Sequence, residues 1–269
     1  MTTIDYIKLD PTENTTLLVP GPVPRGRQAA VAARLLARAG GEQVGYIEKP
    51  GNARAAARLQ MMGGEFCGNA TMALGALLAR RAGLADGSET SYLLEVSGSE
   101  GLVPCRIRRE GEVFVGTVNM PLPTHIGQFE LPGGPAVALI EMPGIAHLVL
   151  PAGDWRDEDL LRRSLPEWHR AIGSDALGAL RWDAATSSID PLVYVPSAGT
   201  LVRERGCGSG SAAVGAWLAL RAGHSLRTAV RQPGGVIEVD AAVEGGALSA
   251  LSITGTVKPV CEGSALFDM

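Results

Sequence analysis

The sequence predicts a mixed α/β (α+β) chain built of two similar halves, and three observations carry that prediction. The chain has 269 residues, enough for one large domain or two of about 130 residues with a sizeable core. Short β-branched segments alternate with Ala-rich helical ones throughout. A shift of 140 residues also superposes CGNATMALGALLARRAG, residues 67 to 83, on CGSGSAAVGAWLALRAG, residues 207 to 223, with ten of seventeen positions identical and no gap.

In the first half, Ile4 to Leu9, Thr15 to Val19 and Gln43 to Glu48 read as strands, and Arg25 to Ala39 reads as an Ala-rich helix. The first repeat copy follows as a second helix, with Asn69 or Thr71 as its N-cap and Gly83 as its left-handed stop. Leu74, Leu77 and Leu78 form its apolar stripe. Strands are expected at Thr90 to Val96, Leu102 to Arg108 and Val113 to Val118, punctuated by Gly98, Gly101 and Gly111. The run Pro132 to Pro135 suits neither period, so the halves are divided as residues 1–130 and 131–269, with the last residues able to pack back on the first domain.

The second half repeats the order. Ala136 to Glu141 and Ala146 to Leu150 read as strands, and Trp155 to Ile172 reads as a helix interrupted at Pro166. Strands at Leu192 to Val195 and Thr200 to Arg203 lead to the second repeat helix, Ser209 to Arg221, capped by Ser209 or Ser211 and stopped at Gly223. Leu226 to Arg231, Val236 to Val239 and Leu248 to Ile253 complete the strands.

Composition narrows the function classes. With 24 Lys+Arg against 28 Asp+Glu, a formal charge of -4 offers no basic field for a nucleic acid or an anionic membrane. Apolar residues at 46% exclude disorder over most of the length. The four cysteines, Cys67, Cys105, Cys207 and Cys261, are too few and too far apart for a disulfide framework and read as reduced cytoplasmic thiols. No CxxC pair or histidine cluster marks a metal site. No dinucleotide fingerprint or Schiff-base lysine context stands out, so no metal and no cofactor is expected. The apolar run from Pro132 to Leu150 is broken by Glu141, Pro143, Gly144 and His147, so neither a leader nor a membrane span is expected.

Two of the four cysteines open the two repeat copies. A thiol there meets the unsatisfied amides and positive dipole end of a helix, which favour a thiolate, and the same amides can hold a substrate carboxylate. Gly68, Gly208 and Gly210 leave that backbone open to close approach. Two such sites on similar domains suit a two-base site. One thiolate removes an α-proton, one thiol protonates the opposite face, and the roles exchange with substrate handedness. A dehydratase or isomerase of the same build, or a non-catalytic protein that clamps a free amino acid, fits the same letters.

The sequence resembles the diaminopimelate epimerase superfamily of cofactor-independent two-cysteine racemases. The matches are GGEFCGN at Gly63 to Asn69, RERGCGSGS at Arg203 to Ser211, and the weaker Glu13-Asn14-Thr15-Thr16. The resemblance implies two pseudo-symmetric domains, each with a barrel-like sheet around a central helix. It implies Cys67 and Cys207 as the catalytic pair and Gly68, Asn69, Gly208 and Ser209 as backbone donors to an α-carboxylate. Asn14 occupies a substrate-contacting place, and Glu204 and Arg205 touch the substrate or hold the second loop. Beside these, Glu65 and Phe66 are candidates to meet a substrate side chain, and His147 is a candidate pocket residue.

The loops depart from diaminopimelate epimerases. Cys207 follows Gly206 directly, and Ile145 stands in Pro143 to His147 where that family carries a side-chain amide. In this loop pattern the chain is most similar to the histidine racemases of opine-type metallophore biosynthesis. The resemblance therefore implies racemisation of L-histidine to D-histidine by a homodimer in the cytoplasm. Diaminopimelate epimerase and proline or hydroxyproline racemase-like enzymes are the alternatives.

Overall fold

The computed structural model describes Thr2–Phe267, save the side-chain surroundings of Ala198. The first elements are β1 (Thr2–Pro11), β2 (Thr16–Val19), α1 (Arg25–Ala39), β3 (Gln43–Glu48), β4 (Ala57–Met61) and α2 (Gly68–Arg81). Next come β5 (Glu89–Val96), β6 (Leu102–Glu110), β7 (Val113–Asn119), β8 (His125–Glu130), β9 (Ala136–Met142) and β10 (Ile145–Pro151). The chain continues through α3 (Glu158–Ile172), β11 (Leu177–Asp183), β12 (Ser188–Val195), β13 (Thr200–Arg203) and α4 (Gly208–Ala222). It closes with β14 (Leu226–Gln232), β15 (Gly235–Glu244) and β16 (Ala247–Phe267).

Contacts divide the chain into one unit that runs to Asn119 and resumes at Thr254, and a second unit of Met120–Ile253. The division lies at 119/120, not at the expected 130/131. The cause is β8, which pairs residue by residue with β9 from His125↔Glu141 to Glu130↔Ala136 and so belongs to the second unit.

In the first unit, β1 and β2 pair antiparallel, β2 and β3 parallel, β3 and β4 antiparallel, β4 and β5 parallel, and β5 and β6 antiparallel. β7 joins β6, and the end of β16 lies between β7 and β1, which turns the sheet back on itself. Closure leaves few open strand edges. α2 is buried on nearly every side and touches β1, β2, β5, β6 and β7, as a helix enclosed by a sheet must. Gly75 permits the approach, since a Cβ there would stand 2.6 Å from Cys105 Sγ. α1 packs outside, its Val31, Ala32 and Leu35 against Leu17, Val19, Val44 and Tyr46. Each such fully buried Val or Leu side chain contributes about 1.5–3 kcal/mol.

The second unit repeats that succession of pairings. β9 and β10 are antiparallel, β10 and β11 parallel, β11 and β12 antiparallel, β12 and β14 parallel, and β14 and β15 antiparallel. α4 takes the place of α2 and lies against β14, β15, β9 and β10. Gly215 brings it close, since a Cβ there would stand 2.8 Å from Val239 Cβ. α3 covers the other face of the sheet with Leu161, Leu165 and Trp168. It runs through Pro166 without a break, contrary to the expected interruption. One missing amide costs less than the apolar stripe gains, and the helix is secured at both ends. Asp157 Oδ1 accepts the Leu160 amide at 3.0 Å, and Gly173 closes it at φ 80°.

Among the described residues no helix is long and apolar enough to cross a membrane.

Candidate active site

Both repeat cysteines are the N-caps of their helices. Cys67 precedes α2 with extended backbone, and its Sγ accepts the Ala70 amide at 3.4 Å. Cys207 does the same before α4, with the Gly210 amide at 3.4 Å. The expected caps are therefore corrected: the sulfur takes the place of Asn69, Thr71, Ser209 and Ser211. Thr71 and Ser211 instead hold the preceding carbonyls, with Thr71 Oγ1 donating to Cys67 O at 2.7 Å and Ser211 Oγ to Cys207 O at 2.8 Å. Gly210 leaves room for the sulfur, since a Cβ would stand 3.1 Å from Cys207 Sγ and 2.8 Å from Leu180 Cδ2. A sulfur placed on first-turn amides is in the environment that favours thiolate. The amides of Gly68, Asn69, Gly208 and Ser209 belong to those same first turns.

In the first unit Cys67 sits in an amide network. Its Sγ donates to Gln43 Oε1 at 3.1 Å. The Gln43 side chain is locked by its other end, since Nε2 donates to Asn14 Oδ1 at 2.6 Å and to Thr16 Oγ1 at 2.9 Å. Asn69 Nδ2 also reaches Asn14 Oδ1, at 3.1 Å, and Asn14 Nδ2 donates to Glu42 Oε2 at 2.5 Å. Asn14 is thus buried at the centre of the network and sets the orientation of both neighbours. It follows Thr12 and Glu13, two consecutive non-glycine residues at φ 53° and 57°, a locally costly backbone of the kind that collects at functional sites.

Glu65 and Phe66 lie on the loop leading into Cys67. Ser97 Oγ pins this loop by donating to Glu65 O at 2.7 Å and accepting the Met61 amide at 2.9 Å. The surrounding protein pushes the Glu65 carboxyl up, against the pull of its own amide and that of Gly63. Phe66 is half-buried.

In the second unit the cysteine is clamped from β14. Gln232 Oε1 accepts the Cys207 amide at 2.7 Å, and Gln232 Nε2 donates to Ser211 Oγ at 2.9 Å. Burial first, and the Glu204 carboxylate second, push the Cys207 thiol well above its ordinary range. Glu204 is also hydrogen-bonded to that side chain, while the Ser209 hydroxyl and Gly210 amide pull the thiol down. Ser209 Oγ stands 3.7 Å from Cys207 Sγ and 3.1 Å from His147 Nε2. His147 is 0% exposed, and desolvation pushes its pKa down to about 3, so the ring is neutral at ordinary pH.

Arg205 is exposed and holds the β14–β15 turn, its Nη2 donating to Pro233 O at 3.4 Å while its carbonyl accepts the Gly234 amide at 2.7 Å. Neighbouring Arg203 joins Asp190 and Glu158 in an ion network outside the site.

The structure thus links Cys67 through Gln43 to Asn14 and Asn69, and it gathers Glu204 and Ser209 beside Cys207, with His147 against Ser209. Gln43 and Gln232 were not singled out from the sequence. Each lies 24 or 25 residues from its cysteine on a separate strand, with no local pattern to mark it.

Repeated α/β units, each presenting a cysteine at the head of an enclosed helix, have the fold of the proline racemase and epimerase class. A probable proline racemase from Agrobacterium radiobacter K84 with bound carbonate is similar at TM-score 0.73 and 16% identity, covering 99% of this chain and 93% of that one. A hydroxyproline epimerase from Agrobacterium vitis with bound trans-4-hydroxy-L-proline is similar at TM-score 0.71 and 14% identity, covering 97% and 92%.

The family model described as histidine racemase CntK N-terminal domain matches residues 3–266, and the chain belongs to this family. A histidine racemase of Staphylococcus aureus (strain Mu50) is 29% identical, covering 98% of each chain. One from Fusobacterium nucleatum is 27% identical over 87% of this chain and 88% of that one.

Proposed function

We propose that this protein racemises free histidine by a two-base thiol mechanism. The observation that carries the reading is the family match over nearly the whole chain, with both repeat cysteines at the heads of their helices. In one direction a thiolate takes the α-proton, forming an S–H bond as the Cα–H bond breaks. The other thiol then delivers its proton to the opposite face, so atoms and charge balance and the two sulfurs exchange states. The next turnover in that direction requires the protons to be reset.

The α-proton of an amino acid is weakly acidic, so the developing carbanion needs stabilisation from donors already in place. The amides of Gly68, Asn69, Gly208 and Ser209 are assigned to the substrate carboxylate. Asn14 and Arg205 serve chiefly to hold the two cysteine loops. Glu65, Phe66 and His147 are assigned to the substrate surroundings, and Glu204 is assigned as the hydrogen-bond acceptor of the Cys207 thiol. The reading calls for no cofactor or metal, no nucleic acid or membrane, and a homodimer in the cytoplasm that serves metallophore biosynthesis.

Purified protein incubated separately with L-histidine, meso- and LL-diaminopimelate, and L-proline tests the substrate. Chiral chromatography should show D-histidine accumulating toward an equal mixture, with at least about tenfold lower rates on the others. Faster inversion of proline or diaminopimelate would overturn the assignment.

A further inference from the structure

His147 is a fully buried imidazole with one ring nitrogen engaged and one idle. Nε2 lies 3.1 Å from Ser209 Oγ, while no hydrogen-bond partner reaches Nδ1 among the described residues. The pocket is built for the ring. Gly178, its parallel neighbour on β11, has no side chain where a Cβ would collide with the imidazole. A neutral imidazole carries one N–H and one lone pair. Placing the N–H at Nδ1 would bury an unpaired donor, so the hydrogen belongs on Nε2, pointing at Ser209.

That choice fixes the next hydrogen. Once Ser209 Oγ accepts from His147, its own O–H has Cys207 Sγ as its neighbour at 3.7 Å. Ser209 is the second residue of α4, and the third, Gly210, already donates its amide to the same sulfur. Two donors thus converge on Cys207, opposite in effect to the Glu204 carboxylate. In the first unit the residue equivalent to Ser209 under the 140-residue shift is Asn69, a different side chain, whose amide donates to Asn14.

We infer that His147 and Ser209 form a directional hydrogen-bond relay, Nε2–H to Oγ–H to Sγ, that offsets Glu204 and makes the Cys207 thiolate accessible. His147 is in this account a positioning residue acting through Ser209. It transfers no proton, and Ser209 is the only member whose side chain meets the sulfur. The functional consequence rests on the proposed two-base reading, but the relay itself is read without substrate.

The test is the pH dependence of Cys207 alkylation by iodoacetamide, followed by peptide mass mapping, with exposed Cys261 as the internal reference. Ser209→Ala should move the Cys207 midpoint up by about one pH unit, equivalent to about tenfold slower alkylation below it. Ser209→Thr, which keeps the hydroxyl, should restore it. His147→Phe should shift the midpoint in the same direction, and adding it to Ser209→Ala should bring no further change, as expected of residues in series. Should His147→Phe not fold, the Ala and Thr variants still decide. An unmoved midpoint in Ser209→Ala, failure of Thr to restore it, or shifts that add in the double variant would overturn the relay. A chain that does not racemise histidine would leave these alkylation results standing and overturn only the substrate reading.

Discussion

A cysteine as N-cap is unusual because sulfur is a weaker acceptor than the oxygens of Ser, Thr, Asn or Asp that helix ends prefer. Two of them, each accepting an amide three residues on, separate the needs of stability from those of chemistry. Cys67→Ser and Cys207→Ser should therefore keep or raise the melting temperature while lowering racemisation by about 10²–10⁴-fold, the usual loss when a general acid or base is removed. Glu204→Gln removes the carboxylate that pushes Cys207 up and should move its alkylation midpoint to lower pH, opposite in sign to Ser209→Ala. His147 gives a stability prediction. Its folded pKa of about 3 lies below the value of 6.5 in an unfolded chain, so below 6.5 the unfolded state binds a proton that the folded state does not. Stability from this residue is complete above pH 6.5 and should fall by about 1.4 kcal/mol per unit as pH drops toward 3. Urea titrations at several pH values should show a shallower dependence in His147→Phe; equal slopes would contradict the assignment. At this scale the repeat and its resemblance single out the positions of the cysteines, Asn14, Glu204 and Ser209, and the apolar context singles out His147, but not the hydrogen bonds their side chains make. Gln43 and Gln232 were not, because a glutamine starting or ending a strand carries no signal until the sheet brings it to its cysteine.

The enclosed helices tolerate little change because glycine lets each lie against its strands. Gly215→Ala would drive a methyl group into Val239 and should cost about 1–3 kcal/mol, read as a lower denaturation midpoint at unchanged slope. The last strand is the other sensitive element, since its residues 257–267 pair with β1 and the same strand neighbours β7. A chain ending at Ile253 should lose cooperative melting and bind a hydrophobic dye, its first unit having lost the strand that closes it. Sequence periodicity found α1 and β3 with their observed limits, because each has clear punctuation: Gly40 follows α1, and Pro50 stands shortly after β3. It missed β8, whose HIGQFE has only a faint alternation, and β11, where Gly178 and Arg181 interrupt the apolar run. It stopped β16 at Ile253, because Gly255, Pro259 and Gly263 look like breakers and only pairing with β1 sustains the strand beyond them. The same limitation applied to Pro166, where tertiary packing overrides local preference.

Across the whole chain, the same order and sense of pairing occurs in both units, and each contributes one thiol at one helix head. The duplication is not a copy in its chemistry. Both sulfurs accept a first-turn amide, but Cys67 also donates to the Gln43 carbonyl oxygen, whereas Cys207 has the Glu204 carboxylate and the Ser209 hydroxyl beside it. An enzyme that works on both enantiomers needs two groups able to exchange acid and base roles, but the equilibrium between mirror images constrains only the ratio of the two directions, so unlike surroundings are compatible with the task. The decisive measurement is the fate of the α-hydrogen when L-histidine is turned over in deuterium oxide, followed by NMR and chiral separation from the earliest conversion. Two separate thiols predict D-histidine that carries solvent deuterium from the first turnover, while the remaining L-histidine still holds its original hydrogen. D-histidine that retains the substrate hydrogen, or no exchange at all, would contradict the account.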